Sequence, residues 1–274
     1  DWAPQQQHNL AIRGGSDNIK FYGFLGYLNQ ETLFKRSDAS YRRYNIRGSI
    51  DAKITDDLSA SMDFSLVVGE RNYTQRDMNA NLWSDFWNTS PMYPDHFPDL
   101  GKVPFAEGGG TGGAHITTNR SLSGYNDTKS QETRFTGELR YDFPFLKGLQ
   151  AKTRIDYLQT YATQKIFQKP VPFWKYDHAA QKYTLAGSFG SSASLGYILP
   201  NDRRMIYQTS LEYKKVLKEI HDINVLALFE ATDYYSSRIL ANRSNFLTPA
   251  IDEMLAGSTE GMTNGAATTE MGRM

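Results

Sequence analysis

Cysteine is absent from the 274 residues. That excludes thiol nucleophiles, disulfides and cysteine metal sites, and it is compatible with an oxidising compartment. An excess of either charge is also missing, since 30 Lys and Arg balance 30 Asp and Glu. Bulk electrostatics therefore give no argument for nucleic acid or an anionic membrane surface as partner. No apolar run approaches the about 20 residues of a transmembrane helix. A membrane β-barrel survives this absence, because alternating strands keep the average hydropathy low. Histidine is sparse and scattered at positions 8, 96, 115, 178 and 221, with no paired-His spacing for a metal. The chain opens on DWAPQQQHNL, without an initiator Met, a basic stretch or an apolar stretch that would mark a leader, and it closes on TTEMGRM, which reads as neither a cap nor a closing strand. Both ends read as cut, and a piece of a longer protein is expected.

Alternation is what the sequence has in abundance. In RYNIRGSIDAKITDDLSASMDFSLVVG, residues 43–69, one set holds Tyr44, Ile46, Gly48, Ile50, Ala52 and Ile54, interleaved with Arg43, Asn45, Arg47, Ser49, Asp51 and Lys53. Beyond TDD the pattern resumes with Leu58, Ala60, Met62, Phe64, Leu66 and Val68 against Ser59, Ser61, Asp63 and Ser65. A period of two places each set on its own face of a strand. The same grammar predicts strands over about 7–14 and 18–30, 131–143 and 149–162, and 203–215 and 222–235, giving four hairpins that turn at GGSDN, TDD, PFLKG and VLKEIH.

Short turns join the strands within each hairpin, whereas long segments of about 31–41, 71–130, 163–202 and 236 onward join one hairpin to the next. Compact soluble domains connect elements in about 4–6 residues. In an up-and-down meander all the short turns fall at one end and all the long loops at the other, which is the asymmetry of an outer-membrane barrel. The predicted strands also exceed the about 9–11 tilted residues that cross a bilayer. Tyr27, Tyr44, Phe143, Tyr161 and Tyr213 lie near strand ends, where interfacial girdles sit. The fold class expected is all-β: an antiparallel up-and-down transmembrane β-barrel, partial, with about eight strands of a larger one and its apolar face toward lipid. A soluble β-sandwich with the apolar face inside accounts for the alternation equally well, but poorly for strand length and one-sided loops.

The stretch HNLAIRGGSDNIKFYGFLGYLNQETLFKRSDASYRRYNIRGSIDAKITDDLSASMDFS closely resembles the start of the barrel in SusC/RagA-type TonB-dependent outer-membrane transporters, and the preceding DW is similar to their junction of plug and barrel. Later, RSNFLTPAIDEMLAGS is similar to a segment that follows a strand in the same family. Thr32 and Phe229 stand where the family often has Gly. The resemblance is dense over the first 70 residues, looser over 131–162 and 203–257, and slight in the long loops. It implies a plugged barrel of about 22 strands, of which residues 1–274 would be the N-terminal barrel part, without the plug, the TonB box and the C-terminal strands. It further implies a bacterial outer-membrane location, energy from the TonB complex through the plug, a SusD-like surface lipoprotein as lid, and import of glycan oligomers or peptides. No cofactor, metal or enzymatic activity is implied. A TonB-dependent receptor for a metal chelate or vitamin is the alternative within the class, and a soluble β-sandwich binding protein the alternative outside it.

Candidate binding residues lie in the two longest loops, expected to be extracellular. Trp83, Phe86, Trp87, Tyr93 and Phe97 are interleaved with Asp85, Asn88, Asp95 and Asp99, and VPFWKYDH adds Trp174 and Tyr176. Amphipathic rings offer stacking area while fixed polar groups orient a ligand, which suits a sugar or peptide. The plainer reading is that these rings pack the loops together. DHFPD is too poor in donors for a metal site. EGGGTGGAH lacks the Lys and Ser/Thr of a phosphate loop and reads as a flexible loop. The polar-face charges Arg43, Arg47, Asp51, Lys53, Arg134, Glu138 and Arg140 are expected to pair with each other or with the plug.

Overall fold

A computed structural model describes residues 2–34, 37–76, 78–89, 92, 94, 96–99, 101–105, 118–218, 220–260 and 262–273. One nine-stranded antiparallel sheet dominates. It contains β1 (Gln5–Gly15), β2 (Ile19–Glu31), β3 (Ser40–Lys53), β4 (Leu58–Thr74), β6 (Gly124–Asp142), β7 (Leu149–Gln168), β10 (Ser194–Leu217), β11 (His221–Ser244) and β12 (Thr263–Arg273), each paired with the next in that order. A small second sheet joins β5 (Val103–Pro104), β8 (Val171–Asp177) and β9 (Lys182–Phe189). Among the described residues between β4 and β6 lie two helices, α1 (Met78–Asn88) and α2 (Arg120–Ser123).

All four predicted hairpins form, at the predicted turns. Their strands extend further toward the loop end than alternation alone indicates. β10 and β11 each run 24 residues, so the connections shrink to about 75–123, 169–193 and 245–262. The segment 169–193 is not a plain loop either, because it folds as the β8–β9 hairpin. The terminal stretch, read as no strand, is β12, a ninth strand paired from Asn242↔Thr263 to Thr232↔Arg273. Its small and polar residues carry little strand signal of their own. The unpaired edge of β11 supplies the partner, and pairing context outweighs intrinsic propensity in sheets.

Register turns the alternation into two continuous faces. Phe21↔Ile50, Ile50↔Met62, Met62↔Gly137, Gly137↔Ile155 and Ile155↔Tyr207 run across six strands on one side. Those rows are apolar, and nothing covers them: Ile50 is 48% exposed, Met62 49% and Leu139 48%. The opposite face carries Arg47, Ser65, Arg134 and Arg204 in one row and Asp51, Ser61, Glu138 and Arg154 in another. Apolar residues interrupt this face at Phe24 and Leu28 on β2, Val67 on β4, Leu158 on β7, and Leu226 and Leu228 on β11.

The buried clusters among the described residues lie at the loop end and not beneath the apolar face. Val103, Val171 and Phe173 form one, and Phe167, Ala193 and Leu195 the other. At the opposite end the turns are tight. Gly148 takes φ +96, accepts at its carbonyl from the Lys214 N–H at 2.8 Å, and leaves no room for a side chain, because a Cβ would fall 2.0 Å from the Lys214 carbonyl oxygen. Gly148→Ala is therefore expected to cost about 1–3 kcal/mol, read as a lower urea midpoint of the folded, heat-modifiable barrel of the full-length protein.

Candidate functional site

Helix α1 is fixed by one ion pair. Arg76 donates from Nε and one Nη to the two carboxylate oxygens of Asp85 at 2.8 and 2.9 Å, and Asp85 is 4% exposed. This acid, grouped by sequence with the loop aromatics, faces inward and serves the helix. Trp83, Phe86 and Trp87 occupy i, i+3 and i+4, so they share one side of α1, and all three are exposed. Trp83 and Leu82 reach a groove of about 470 Å³ at the loop ends of β2, β3 and β4, whose other walls include Gln30, Glu31, Phe34, Tyr41 and Tyr73.

Phe97, Trp174 and Tyr176 gather elsewhere, on the small sheet. Phe97 meets Tyr183 edge to face at 5.2 Å, and Tyr176 packs on the same ring at 4.9 Å. The Lys102 ammonium lies 4.9 Å from the Tyr183 ring and 5.5 Å from that of Trp174, while pairing with Asp99. That hydrogen bond from Lys102 is the main reason the Asp99 carboxyl sits below the usual range. Asp99 is thus engaged by a cation, and the described residues contain no cluster of metal-ligating side chains. Tyr93 and Asp95 lie outside the described residues, as does the segment 107–115. Sequence reasoning missed Tyr183, Lys102, Tyr41 and Tyr73. The first two carry no distinctive spacing. Tyr41 and Tyr73 fell inside the predicted connections 31–41 and 71–130, because β3 and β4 extend further than alternation indicates.

A third arrangement ties the 245–258 segment down beside β6, β7, β10 and β11. Arg243 donates to the Met254 and Gly257 carbonyls at 3.1 and 3.3 Å, and Phe246 packs edge-on against Phe167 at 5.8 Å. Asp252 accepts from the Tyr125 hydroxyl and from Lys165, the latter at 3.3 Å. The Tyr125 bond first, then Lys165, holds the Asp252 carboxyl below the ordinary carboxylate range. A depressed folded-state value means the attachment is in full force above the unfolded value and weakens as pH falls through the folded one. The protection of residues 245–258, exchange taken relative to an unstructured chain at the same pH, is expected to stay constant from about pH 7 to 5 and to fall below the carboxylate range. Asp252→Asn should show lower protection than the wild type near neutral pH, and the difference should vanish once the wild-type carboxyl is protonated.

The polar-face charges divide. Lys53 pairs with Asp56 at 2.7 Å, Glu138 with Lys152 at 3.0 Å, and Arg140 donates to the Ser59 hydroxyl at 3.1 Å. Arg43, Arg47 and Arg134, expected to find charged partners, form no ion pair among the described residues. Their register neighbours, Gly69, Ser65 and again Ser65, are uncharged.

Comparison with known proteins accords with this architecture. No family model matches the chain. Residues over 52% of it are 25% identical, across 143 positions, to TonB-dependent receptor P26 of Formosa agariphila, and the match covers 13% of that protein. The structure of the RagAB peptide importer in its open-open state superposes with a TM-score of 0.71 over 98% of this chain and 28% of that one, at 18% identity. Its closed-closed state gives 0.68 over 98% and 29%, at 17% identity. The chain thus spans under a third of the length of each of these proteins. Its sheet has the fold of part of that importer's antiparallel barrel, in line with the fold that the resemblance in the first 70 residues implied.

Proposed function

Because the chain has the barrel fold of SusC/RagA-like TonB-dependent transporters, we propose that it forms part of an outer-membrane importer of oligomeric nutrients, peptides or glycans, and is not an enzyme. The observation that carries this reading is the bare apolar face. On β4 the apolar set runs from Leu58 to Val68, roughly 33 Å along a strand at about 3.3 Å per residue. With the about 40° tilt of outer-membrane strands it stands roughly 25 Å tall, which matches the apolar band of such barrels. Above it the same face turns polar: Glu70 follows Val68 and pairs with Lys129 at 3.5 Å, and Arg42 follows Tyr44. Lipid covers the band, the charged face lines an aqueous lumen, and the loop end with its two sets of aromatics faces outward.

In this reading the groove beneath α1 and the rings around Lys102 are contact points for cargo or for a SusD-like lipoprotein lid. Trp83, Phe86, Trp87, Phe97, Trp174 and Tyr176 supply stacking area, and Tyr93 and Asp95 belong to the same loop. TonB acts through a plug supplied by the rest of the protein. Uptake of fluorescent peptides and of fluorescent oligosaccharides by cells with and without the full-length gene tests the reading. Uptake that requires both the gene and the proton-motive force supports it. Identical uptake of every probe without the gene, or gene-dependent uptake confined to a metal chelate or vitamin, rejects it.

A further inference from the structure

We propose that the β6–β7 and β10–β11 turns form a lipid-anchoring site at the periplasmic edge of the barrel, which holds an anionic phospholipid through Lys147 and Lys215. The proposal rests on the transporter reading, which puts the short turns at the periplasmic end.

The four short turns are not alike. Beneath β2 and β3 the apolar face stops at Ile19 and Ile54, and the bends beyond hold Ser16, Asp17 and Asn18 or Thr55, Asp56 and Asp57. On β6 the same face continues round the bend. Tyr141, Phe143 and Phe145 form a ladder of edge-to-face rings, with centroids 4.9 and 5.4 Å apart, that carries the lipid-facing side out to a tip where Phe145 is 79% exposed. The neighbouring hairpin does likewise. β10 runs on past its last pair with β7, Tyr213↔Leu149, and the next residues on its lipid-facing side are Lys215 and Leu217, across from Ile223 and His221. At that tip Ile220 is also 79% exposed.

The rest of a larger barrel does not cover this side. Further strands add at the edges of the sheet, and a plug fills the lumen, so the outward face stays bare around both turns. Aromatic and apolar side chains at the end of a lipid-covered face belong in the headgroup layer, where amphipathic surfaces concentrate.

Charge selects the lipid. Lys147 and Lys215 are exposed, and neither forms an ion pair among the described residues. The nearby acids are turned away or engaged: Asp222 lies across from Val216 on the lumen side, Asp142 accepts from Gln150 at 2.7 Å, and Glu212 pairs with Lys214 at 2.7 Å. Other cations along the barrel's rims are matched, Lys53 by Asp56 at 2.7 Å, Lys129 by Glu70 at 3.5 Å and Arg203 by Asp233 at 3.2 Å. A lysine beside an apolar patch lays its stem along the patch and extends its ammonium into the headgroups. There an anionic phosphate supplies the missing counter-charge, whereas a zwitterionic headgroup already carries its own cation.

The test uses the full-length protein in phosphatidylcholine vesicles that contain either phosphatidylglycerol or phosphatidylcholine with a photoactivatable diazirine on one acyl chain. Crosslinked peptides are mapped by mass spectrometry. Labelling of residues 143–148 and 213–221 is expected to be greater with the anionic probe, and Lys147→Gln and Lys215→Gln should each lower that excess about fivefold. Phe145→Ser should reduce labelling of 143–148 by both probes, and Lys53→Gln, at a polar turn, should change neither. Heat-modifiable migration shows which variants have assembled, and the comparison of probes on the wild type needs no variant at all. Equal labelling of the turns by the two probes, or labelling confined to the strands as turns covered by other parts of the protein would give, would overturn the proposal. Failure of the protein to insert into vesicles would instead remove the transporter reading and the proposal with it.

Discussion

Ile50→Arg in the full-length protein is expected to lower barrel stability by roughly 2–4 kcal/mol, the cost of placing a guanidinium on the lipid face near the midplane. Ile50 lies between Phe21 and Met62 in the middle of the apolar band, 48% exposed with no protein over it. Leu66→Arg, four residues below the polar rim that starts at Glu70, should cost less, because the penalty fades toward the interface. Ser49→Arg and Ser65→Arg project into the charged face and should be tolerated. Urea titration of the folded band in heat-modifiability gels measures all four. A sandwich core would penalise Ile50→Arg and Leu66→Arg alike, without a gradient along the strand.

The second large effect is local. Asp85→Ala removes the buried partner of Arg76 and strands a cation that is itself mostly covered, a change that costs about 3–5 kcal/mol when a buried pair is broken from one side. The helix has no acidic residue in its first turn and no basic residue in its last to compensate. Unfolding of α1, and not of the barrel, is expected. Amide exchange over 78–88 should rise toward that of an unstructured segment while the strands keep their protection. Since α1 presents Trp83, Phe86 and Trp87 on its exposed side, cargo or lid binding that depends on them should be lost in the same variant.

The strands were legible because their signal is local and repeated. Tyr44 to Ile54 alternate throughout and Leu58 to Val68 do so with Val67 as the one exception, and a single-residue slip would move every one of them to the wrong face. The turns were legible from GGSDN, TDD and PFLKG. What escaped was structure fixed by distant partners. β12 exists because β11 offers an edge, and β8 and β9 because Val171 and Phe173 are buried with Val103. The candidate site was legible in its materials and not in its arrangement. The rings of one loop are split between α1 and the small sheet, and Asp85, in the midst of them, turns inward to Arg76. Arg43 was legible as a member of the polar face, whereas Arg71 fell in the predicted 71–130 connection, and only the fold places it across from Tyr41 and Thr128.

The absence of cysteine from this chain makes the central claim open to direct measurement. Single Cys substitutions at Ile50, Met62, Leu139 and Leu211, and at Ser49, Asp63, Glu138 and Ser210, would each carry a nitroxide label in the full-length protein reconstituted in lipid vesicles. Collisional access to oxygen, which concentrates in bilayers, and to a water-soluble nickel chelate would then be compared. The account predicts oxygen access at the first four positions and nickel access at the second four, alternating residue by residue along each strand. Nickel access at both sets, or protection of the first four from both reagents as in a protein core, would contradict it.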